Sequence, residues 1–382
     1  MNKKKVLVSV VGRYHAFDLA KQFQNNDFLY KLNTTYPKFI ASRWGIANNK
    51  ICSNILLEFF SRYVKRIFPQ SFRKKITEFV SKSHAKSNIK YLKDIDVFIG
   101  WSGSSLEALI AAKKLNVITI VERGSSHYNH QMKILIEENR KFNIDFIPDY
   151  TTWQRELLEY ELADYISIPS SFVKRTFIEN GVPENKLLVN PYGVDLSSFI
   201  TEEKTDGTFR VVFSGNLSIT KGAYYLLKAF YELDLPNSEL WHLGSINDDV
   251  IPLIKDFEKN NIKYLGHKPQ DELYKYYSQC SVFVLMSVQD GFGMVLTQAM
   301  ACSLPLICTT NTGGYDVISE EGKEGFIIPI RDVEMLKQKL LFLYNNPEEA
   351  KKMGINARLK VSNGFTWDDY GERYLKNLNV IG

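Results

Sequence analysis

Short β-branched runs alternate with longer helical patterns almost from one end of the chain to the other, the sequence form of parallel sheets wrapped by helices. Residues 6–11, 96–99, 117–121, 163–168 and 187–189 read as strands of a first series. Residues 210–213, 239–243, 262–265, 282–285, 306–308 and 326–328 read as strands of a second, with helices over 221–233, 270–278, 294–301 and 333–344. Between the two series lies DLSSFITEEKTDGTFR, residues 195–210, a polar stretch whose glycine interrupts the periodicity. The expectation is an α/β protein of two doubly wound domains, 1–200 and 201–362, followed by a closing helical segment in 363–382. At 382 residues and 45% hydrophobic content the chain has enough apolar material for two cores. Paired domains of this kind hold ligands in the cleft between them, so functional residues are expected in strand-to-helix loops.

The 48 basic and 43 acidic side chains give a net charge of +5, too mild to imply nucleic acid, and no such partner is expected. The distribution is uneven. Arg62, Lys65, Arg66, Arg73, Lys74, Lys75, Lys82, Lys86, Lys90 and Lys93 stand against Glu78 alone. Phe59, Phe60, Tyr63, Val64, Ile67, Phe68, Phe72, Ile76, Phe79 and Val80 are interleaved with them at spacings that suit amphipathic helices broken at Pro69. Two readings stay open for residues 59–93: a solvated helical face over a core, and a surface for anionic lipid or a lipid-linked acceptor.

Cys52, Cys280, Cys302 and Cys308 form no C-x-x-C pair, so they are expected as buried thiols in a reducing compartment. The opening MNKKKVLVSVVGRYH has too short an apolar run for a signal peptide and reads as the first buried strand. With no run near the ~18 apolar residues of a membrane span, the expected location is cytoplasmic, peripheral on the inner face of the membrane.

Four glycine-bearing loops carry candidate chemistry. In VVGRYHAFDLA, Gly12 and Arg13 precede a helix whose N-terminus can meet an anion, although a tight turn explains Gly12 equally well. In FSGNLSITKGAYYLL, Lys221 opens a helix, an electrostatically uphill place for a lysine unless something anionic faces it. In DGFGMVLTQAM, Asp290 precedes a turn through Phe292, Gly293 and Met294, and Gln298 lies roughly one turn into the helix. In TTNTGGYDVI, Gly313 and Gly314 again lead into a helix. Four such turns at the edges of two sheets describe a site for a phosphorylated ligand.

The chain resembles the retaining glycosyltransferases of family four, which have the GT-B fold of two Rossmann-like domains facing each other across a cleft. The resemblance rests on SGNLSITKG, LGHKPQDELYKYYSQCSVFVLMS, DGFGMVLTQAMACSLPLI and TNTGGYDVI, in that order, and on ELADYISIPSSFVKRTFIENGVPENKLLVNPYGVD before them. FTWDDYGERYLKNL resembles the family's closing helix, which crosses back to the first domain. The resemblance implies that 1–200 binds the acceptor and 201–362 the nucleotide sugar. It places Lys221 on the donor diphosphate, with Asn216 where many members have an arginine that does the same. Asp290 stands in for a glutamate that contacts the transferred sugar, and Gln298 for one that holds the ribose. The backbone around Phe292, Gly293 and Met294 would hold sugar and phosphates, and Gly12 would approach the diphosphate from the other domain. His127, in VERGSSHYNH, falls in a loop that often carries a histidine close to the sugar, with Glu122 and Arg123 competing for that role.

The same resemblance implies a retaining hexosyltransferase that needs no metal and no cofactor beyond its nucleotide-diphosphate sugar, a UDP-sugar favoured over a GDP-sugar. Lys221 and the amides at Gly12, Gly293 and Gly314 would stabilise the leaving diphosphate in place of a metal. The acceptor would be a sugar or a lipid-linked sugar in cell-surface polysaccharide or glycolipid assembly. The rival reading, motivated by Asn216 and Gln298, is a catalytically silent homologue that serves as a binding or scaffolding subunit.

Overall fold

The structure, a computed structural model, describes residues 3–64, 67–257 and 259–381, so Lys65 and Arg66 of the basic segment lie outside the described residues. Two all-parallel sheets follow one another. The first contains β1 (Val6–Val10), β2 (Leu29–Thr34), β3 (Ile51–Ser53), β4 (Val97–Trp101), β5 (Ile118–Glu122), β6 (Tyr165–Ile168) and β7 (Leu187–Val189). The second contains β8 (Phe209–Ser214), β9 (Ser238–Leu243), β10 (Ile262–Tyr264), β11 (Val282–Leu285), β12 (Leu306–Thr309) and β13 (Gly325–Ile328). Their orders are β3-β2-β1-β4-β5-β6-β7 and β10-β9-β8-β11-β12-β13. In each sheet the order of strand addition therefore reverses once, between β1 and β4 and between β8 and β11. Loops leaving those four strands open the crevice where such sheets bind ligands.

The two strands that the sequence pattern does not announce are β2 and β3. In β2, LYKLNT, the buried Leu29 and Leu32 are interrupted by Tyr30 and Lys31 and followed by the buried polar Asn33 and Thr34, and β3 is three residues long at the sheet edge. Neither presents the continuous β-branched run that marks the central strands, such as the fully buried VLVSV of β1. Cys280, Cys302 and Cys308 are buried and their thiols are pushed up in pKa by desolvation, whereas Cys52 is half-buried and accepts a bond from Tyr91 Oη at 3.1 Å.

Helix Trp367–Val380, opened by a capping box between Thr366 and Asp369, packs on helix Ala16–Asn25 of the first sheet. Tyr374 meets Phe23 edge-on at 5.4 Å, Gln22 donates to Asp368 at 2.8 Å, and Lys4 donates to the carbonyl of Leu378 at 2.7 Å. The two sheets also meet directly. A β-carbon on Gly291 would lie 2.0 Å from the carbonyl oxygen of Gly124, a contact only glycine permits. Glu138, fully buried, accepts from Tyr225 Oη and from Arg331 Nε, both at 2.6 Å and both in the second domain.

The basic segment does not cover a core with its aromatic face. Phe59, Tyr63, Phe72 and Phe79 are each more than half exposed and Ile67 is 81% exposed, while Val80 is buried. Among the described residues no helix is long and apolar enough to cross a membrane.

Candidate active site between the two sheets

A cleft of about 1760 Å³ lies between the carboxyl edges of the two sheets. One wall comes from Arg13, Tyr14 and His15 after β1, with Arg123 after β5; the other comes from Asp290, Phe292, Gly293, Met294 and Gln298 after β11. Thr366, Trp367 and Asp368 close one side.

The second-domain wall is built by local sequence. After β11 the chain turns through Gly293, at φ +77°, into the buried helix Met294–Ala301. Asp290 is fixed at that turn: its amide donates to the carbonyl of Asn311 at 2.9 Å, and its carboxylate accepts from the amide of Phe292 at 3.4 Å. Lys221, from the loop after β8, bonds Asp290 Oδ2 through its ammonium. The approach that allows this needs Gly222, at φ +68°, where a β-carbon would lie 1.9 Å from the carbonyl oxygen of Met286. Among the described residues, the amides of Gly293 and Met294 and the side-chain amide of Gln298 have no hydrogen-bond partner. They line the cleft as free groups, Gln298 being 8% exposed. An acceptor carboxylate, free helix-terminal donors and an amide thus share one wall, with the Lys221 cation outside the cleft lining and bonded to that carboxylate, an arrangement suited to a ligand with hydroxyls and anionic oxygens.

Other expected residues do not converge there. The amide of Gly12 donates to Thr35 Oγ1 at 2.9 Å, and Gly12 faces a second cavity of about 590 Å³. Arg13 lines both cavities, its guanidinium 4.3 Å above the Trp44 ring. Asn216 is exposed outside the cleft lining, donating to Asn247 at 2.6 Å and accepting from Ser245 at 2.9 Å. The amides of Gly313 and Gly314 are already given to the carbonyl of Phe292 and to Thr312 Oγ1. A β-carbon at either position would meet Phe292 Cδ2 at 2.5 Å or Cys308 Sγ at 2.6 Å, so close packing accounts for this glycine pair. The amides of Gly12 and Gly314, expected on the diphosphate, thus bond within the chain here.

His127 lies away from the cleft. Its ring packs between Tyr160 and Phe177, with centroids 5.2 and 4.9 Å away, and its Nδ1 caps helix Tyr128–Lys141 by accepting from the amide of Asn129 at 3.3 Å. Burial, with the nearby Arg123 charge, pushes its pKa down to about 4, which leaves the ring neutral. Arg123 reaches the cleft, but Glu156 at 2.7 Å and Gln131 at 2.5 Å hold its guanidinium.

The residue that sequence reasoning missed is His15. Its Nε2 lies 3.3 Å from Glu122 Oε2 at the floor of the cleft, and its ring rests 4.2 Å from Tyr192 and 4.9 Å from Trp101. Glu122 is 1% exposed, with the buried Tyr374 hydroxyl beside it. Tyr192 in turn meets Phe292 of the opposite wall edge-on at 5.5 Å. The available signal was position: His15 is the last residue of the first strand-to-helix loop, three beyond Gly12. Among the described residues no group of three or more His, Cys, Asp or Glu side chains is arranged to hold a metal ion.

Residues 198–360, which take in the whole second sheet, match the family described as glycosyl transferases group 1. An uncharacterized glycosyltransferase of Methanocaldococcus jannaschii is 31% identical over 206 residues, 54% of this chain and 56% of that protein. The capsular polysaccharide biosynthesis glycosyltransferase CapM of Staphylococcus aureus is 25% identical over 238 residues, 56% of this chain and 61% of CapM. The matched region thus spans less than two thirds of either relative. Over nearly its whole length the fold is that of Anabaena HepE, solved in complex with UDP and glucose, at a TM-score of 0.71 and 15% identity, covering 99% of this chain and 100% of that one. Residues 198–360 are thus similar to the glycosyl transferases group 1, and the chain as a whole has the two-domain GT-B fold of these solved structures.

Proposed function

We propose that the protein is a retaining hexosyltransferase of family four. It moves a sugar from a nucleotide-diphosphate sugar, preferentially a UDP-sugar, to an acceptor in cell-surface polysaccharide or glycolipid assembly at the inner face of the membrane. One observation carries this reading: Asp290, the free amides of Gly293 and Met294, and Gln298 share one wall of the interdomain cleft, with Lys221 bonded to Asp290. The relatives named above point the same way, one in capsular polysaccharide synthesis and one seen with UDP and glucose.

In the proposed reaction the bond from the sugar's anomeric carbon to the leaving phosphate oxygen breaks as one to the acceptor oxygen forms on the same face. The acceptor's proton passes to the departing phosphate. Lys221 and the amides of Gly293 and Met294 stabilise the negative charge that builds there, without a metal. Asp290 accepts from the sugar hydroxyls and Gln298 from the ribose, both as hydrogen-bond acceptors at fixed positions. Asn216 contributes nothing from its surface position.

The test is a panel of nucleotide sugars, read by thermal shift and by slow donor hydrolysis, on the wild type and on Lys221→Ala. A UDP-sugar response that is lost in Lys221→Ala and kept when a surface lysine is changed supports the proposal. No response to any nucleotide or nucleotide sugar rejects it; a thermal shift without turnover in any acceptor extract identifies a silent binding subunit instead.

A further inference from the structure

The second cavity adjoins the main cleft, sharing Val11, Arg13, Tyr14 and Ser61 with it, and Arg62 and Arg73 complete its cationic lining. Glu58, its single carboxylate, is occupied: Arg62 donates to it at 2.9 Å and Thr35 Oγ1 also bonds it. Arg62 also donates to Tyr36 Oη at 2.7 Å. Among the described residues Arg13 and Arg73 form no ion pair, and Arg73 is steadied by the carbonyl of Phe68 at 2.9 Å. Three arginines facing one spent carboxylate leave an excess of positive charge in a pocket, the setting that guanidinium groups offer to phosphate oxygens.

Immediately outside the cavity the chain turns its aromatic side chains to solvent. Phe59 packs on Tyr63 at 5.6 Å, Phe60 on Phe79 at 5.8 Å and Phe68 on Phe72 at 5.9 Å, a set of ring pairs in which every ring is more than a third exposed. Lys74, Lys75 and Lys82 stand beside them, the last paired with Glu78 at 2.6 Å. Exposed aromatics flanked by cations suit the headgroup zone of an anionic bilayer, where rings bury among acyl chains and cations meet phosphates.

We infer that the acceptor is carried on a lipid through a phosphate or diphosphate, which Arg13, Arg62 and Arg73 hold in this cavity while the exposed rings of Phe59, Phe60, Tyr63, Phe68, Phe72 and Phe79 rest in the membrane surface. The shared wall at Arg13 and Tyr14 then sets the acceptor sugar, one step beyond the phosphate, into the main cleft facing Asp290. Charge complementarity selects the phosphate, and the exposed rings select its lipid-bound form over a soluble one. This assignment rests on the transferase reading for the word acceptor, but the binding it describes does not require turnover.

The experiment compares the full-length wild type, Arg62→Gln/Arg73→Gln, and Phe59→Ser/Phe72→Ser, whose side chains are exposed. Three readouts are taken: flotation with phosphatidylglycerol-containing or pure phosphatidylcholine vesicles, affinity for farnesyl diphosphate against inorganic pyrophosphate, and the thermal shift given by UDP. The wild type should float with the anionic vesicles only and bind farnesyl diphosphate at least tenfold more tightly than pyrophosphate. The double arginine variant should lose farnesyl diphosphate affinity about tenfold, the double phenylalanine variant should lose flotation, and both should keep the UDP shift. Equal affinity for the two diphosphates, or farnesyl diphosphate binding untouched by the arginine changes, overturns the assignment. Loss of the UDP shift in the wild type would instead strike the transferase reading, leaving the lipid-phosphate measurements to stand or fall separately.

Discussion

The ammonium of Lys221 is bonded to the carboxylate of Asp290, joining the loop after β8 to the loop after β11 at the point where the strand order of the second sheet reverses. The cation at this helix start is thus neutralised from within the chain. On the proposed reading, a donor diphosphate shares that lysine with Asp290. Lys221→Ala is expected to lower kcat/KM by about 10²–10³, the cost of losing one positioned charge at a leaving group. Asp290→Asn frees the ammonium and is expected to tighten UDP binding while lowering kcat. Steady-state kinetics with a UDP titration separate the two; weaker UDP binding in Asp290→Asn would show that the carboxylate does not compete with the diphosphate.

Gln298 faces the cleft from the first turns of helix Met294–Ala301 with its amide uncommitted. A carboxylate there accepts more strongly from a hydroxyl, by about 1 kcal/mol, or roughly fivefold in affinity. Gln298→Glu should therefore lower KM for the nucleotide sugar by about that factor and leave kcat within twofold. A change confined to kcat would assign Gln298 to the reacting sugar.

The second-domain wall was legible in the sequence because one loop and the helix after it supply Asp290, Phe292, Gly293, Met294 and Gln298. Spacing along such a stretch translates directly into position. Gly313 and Gly314 were not readable in the same way: a glycine before a helix serves a ligand or a close contact equally, and only the distant Phe292 and Cys308 decide which. His15 was hidden for a related reason, its partner Glu122 lying 107 residues away. The alternation that announced the central strands passed over β2 and β3, whose buried Leu29, Leu32 and Ile51 are separated by polar residues and too few to form a β-branched run.

His15 and His127 make opposite predictions. His127 fills a buried space between Tyr160 and Phe177 and caps a helix, so His127→Ala should cost about 2–3 kcal/mol of stability by cavity and cap loss, with kcat/KM per folded molecule unchanged. His15 lies at the cleft floor beside Glu122, so His15→Asn is expected to lower kcat by about 10²-fold through lost positioning of the reacting groups, with UDP affinity preserved. Thermal melts and kinetics on both variants check this, and a stable, inactive His127→Ala would reverse the assignment.

Asp316 ties the second domain to the first. Its carboxylate accepts from the Ser171 amide at 3.0 and 3.1 Å and from Ser171 Oγ at 3.1 Å, at the start of helix Ser171–Glu179. Burial raises its pKa to about 6 from an ordinary 3.8, outweighing those hydrogen bonds, which pull the other way. Because the folded value lies above the unfolded one, the folded protein holds this proton more tightly than the unfolded chain. The resulting stability is fully present below about pH 4 and is lost as pH rises through about 6. Asp316→Asn keeps an oxygen to accept from Ser171 and has nothing to ionise. Its Tm should match the wild type at pH 4, rise above it between pH 4 and 7, and hold a constant lead beyond. A lower Tm for Asp316→Asn at pH 8 would mean that the bonds from Ser171 to the ionised carboxylate exceed the cost of burying it.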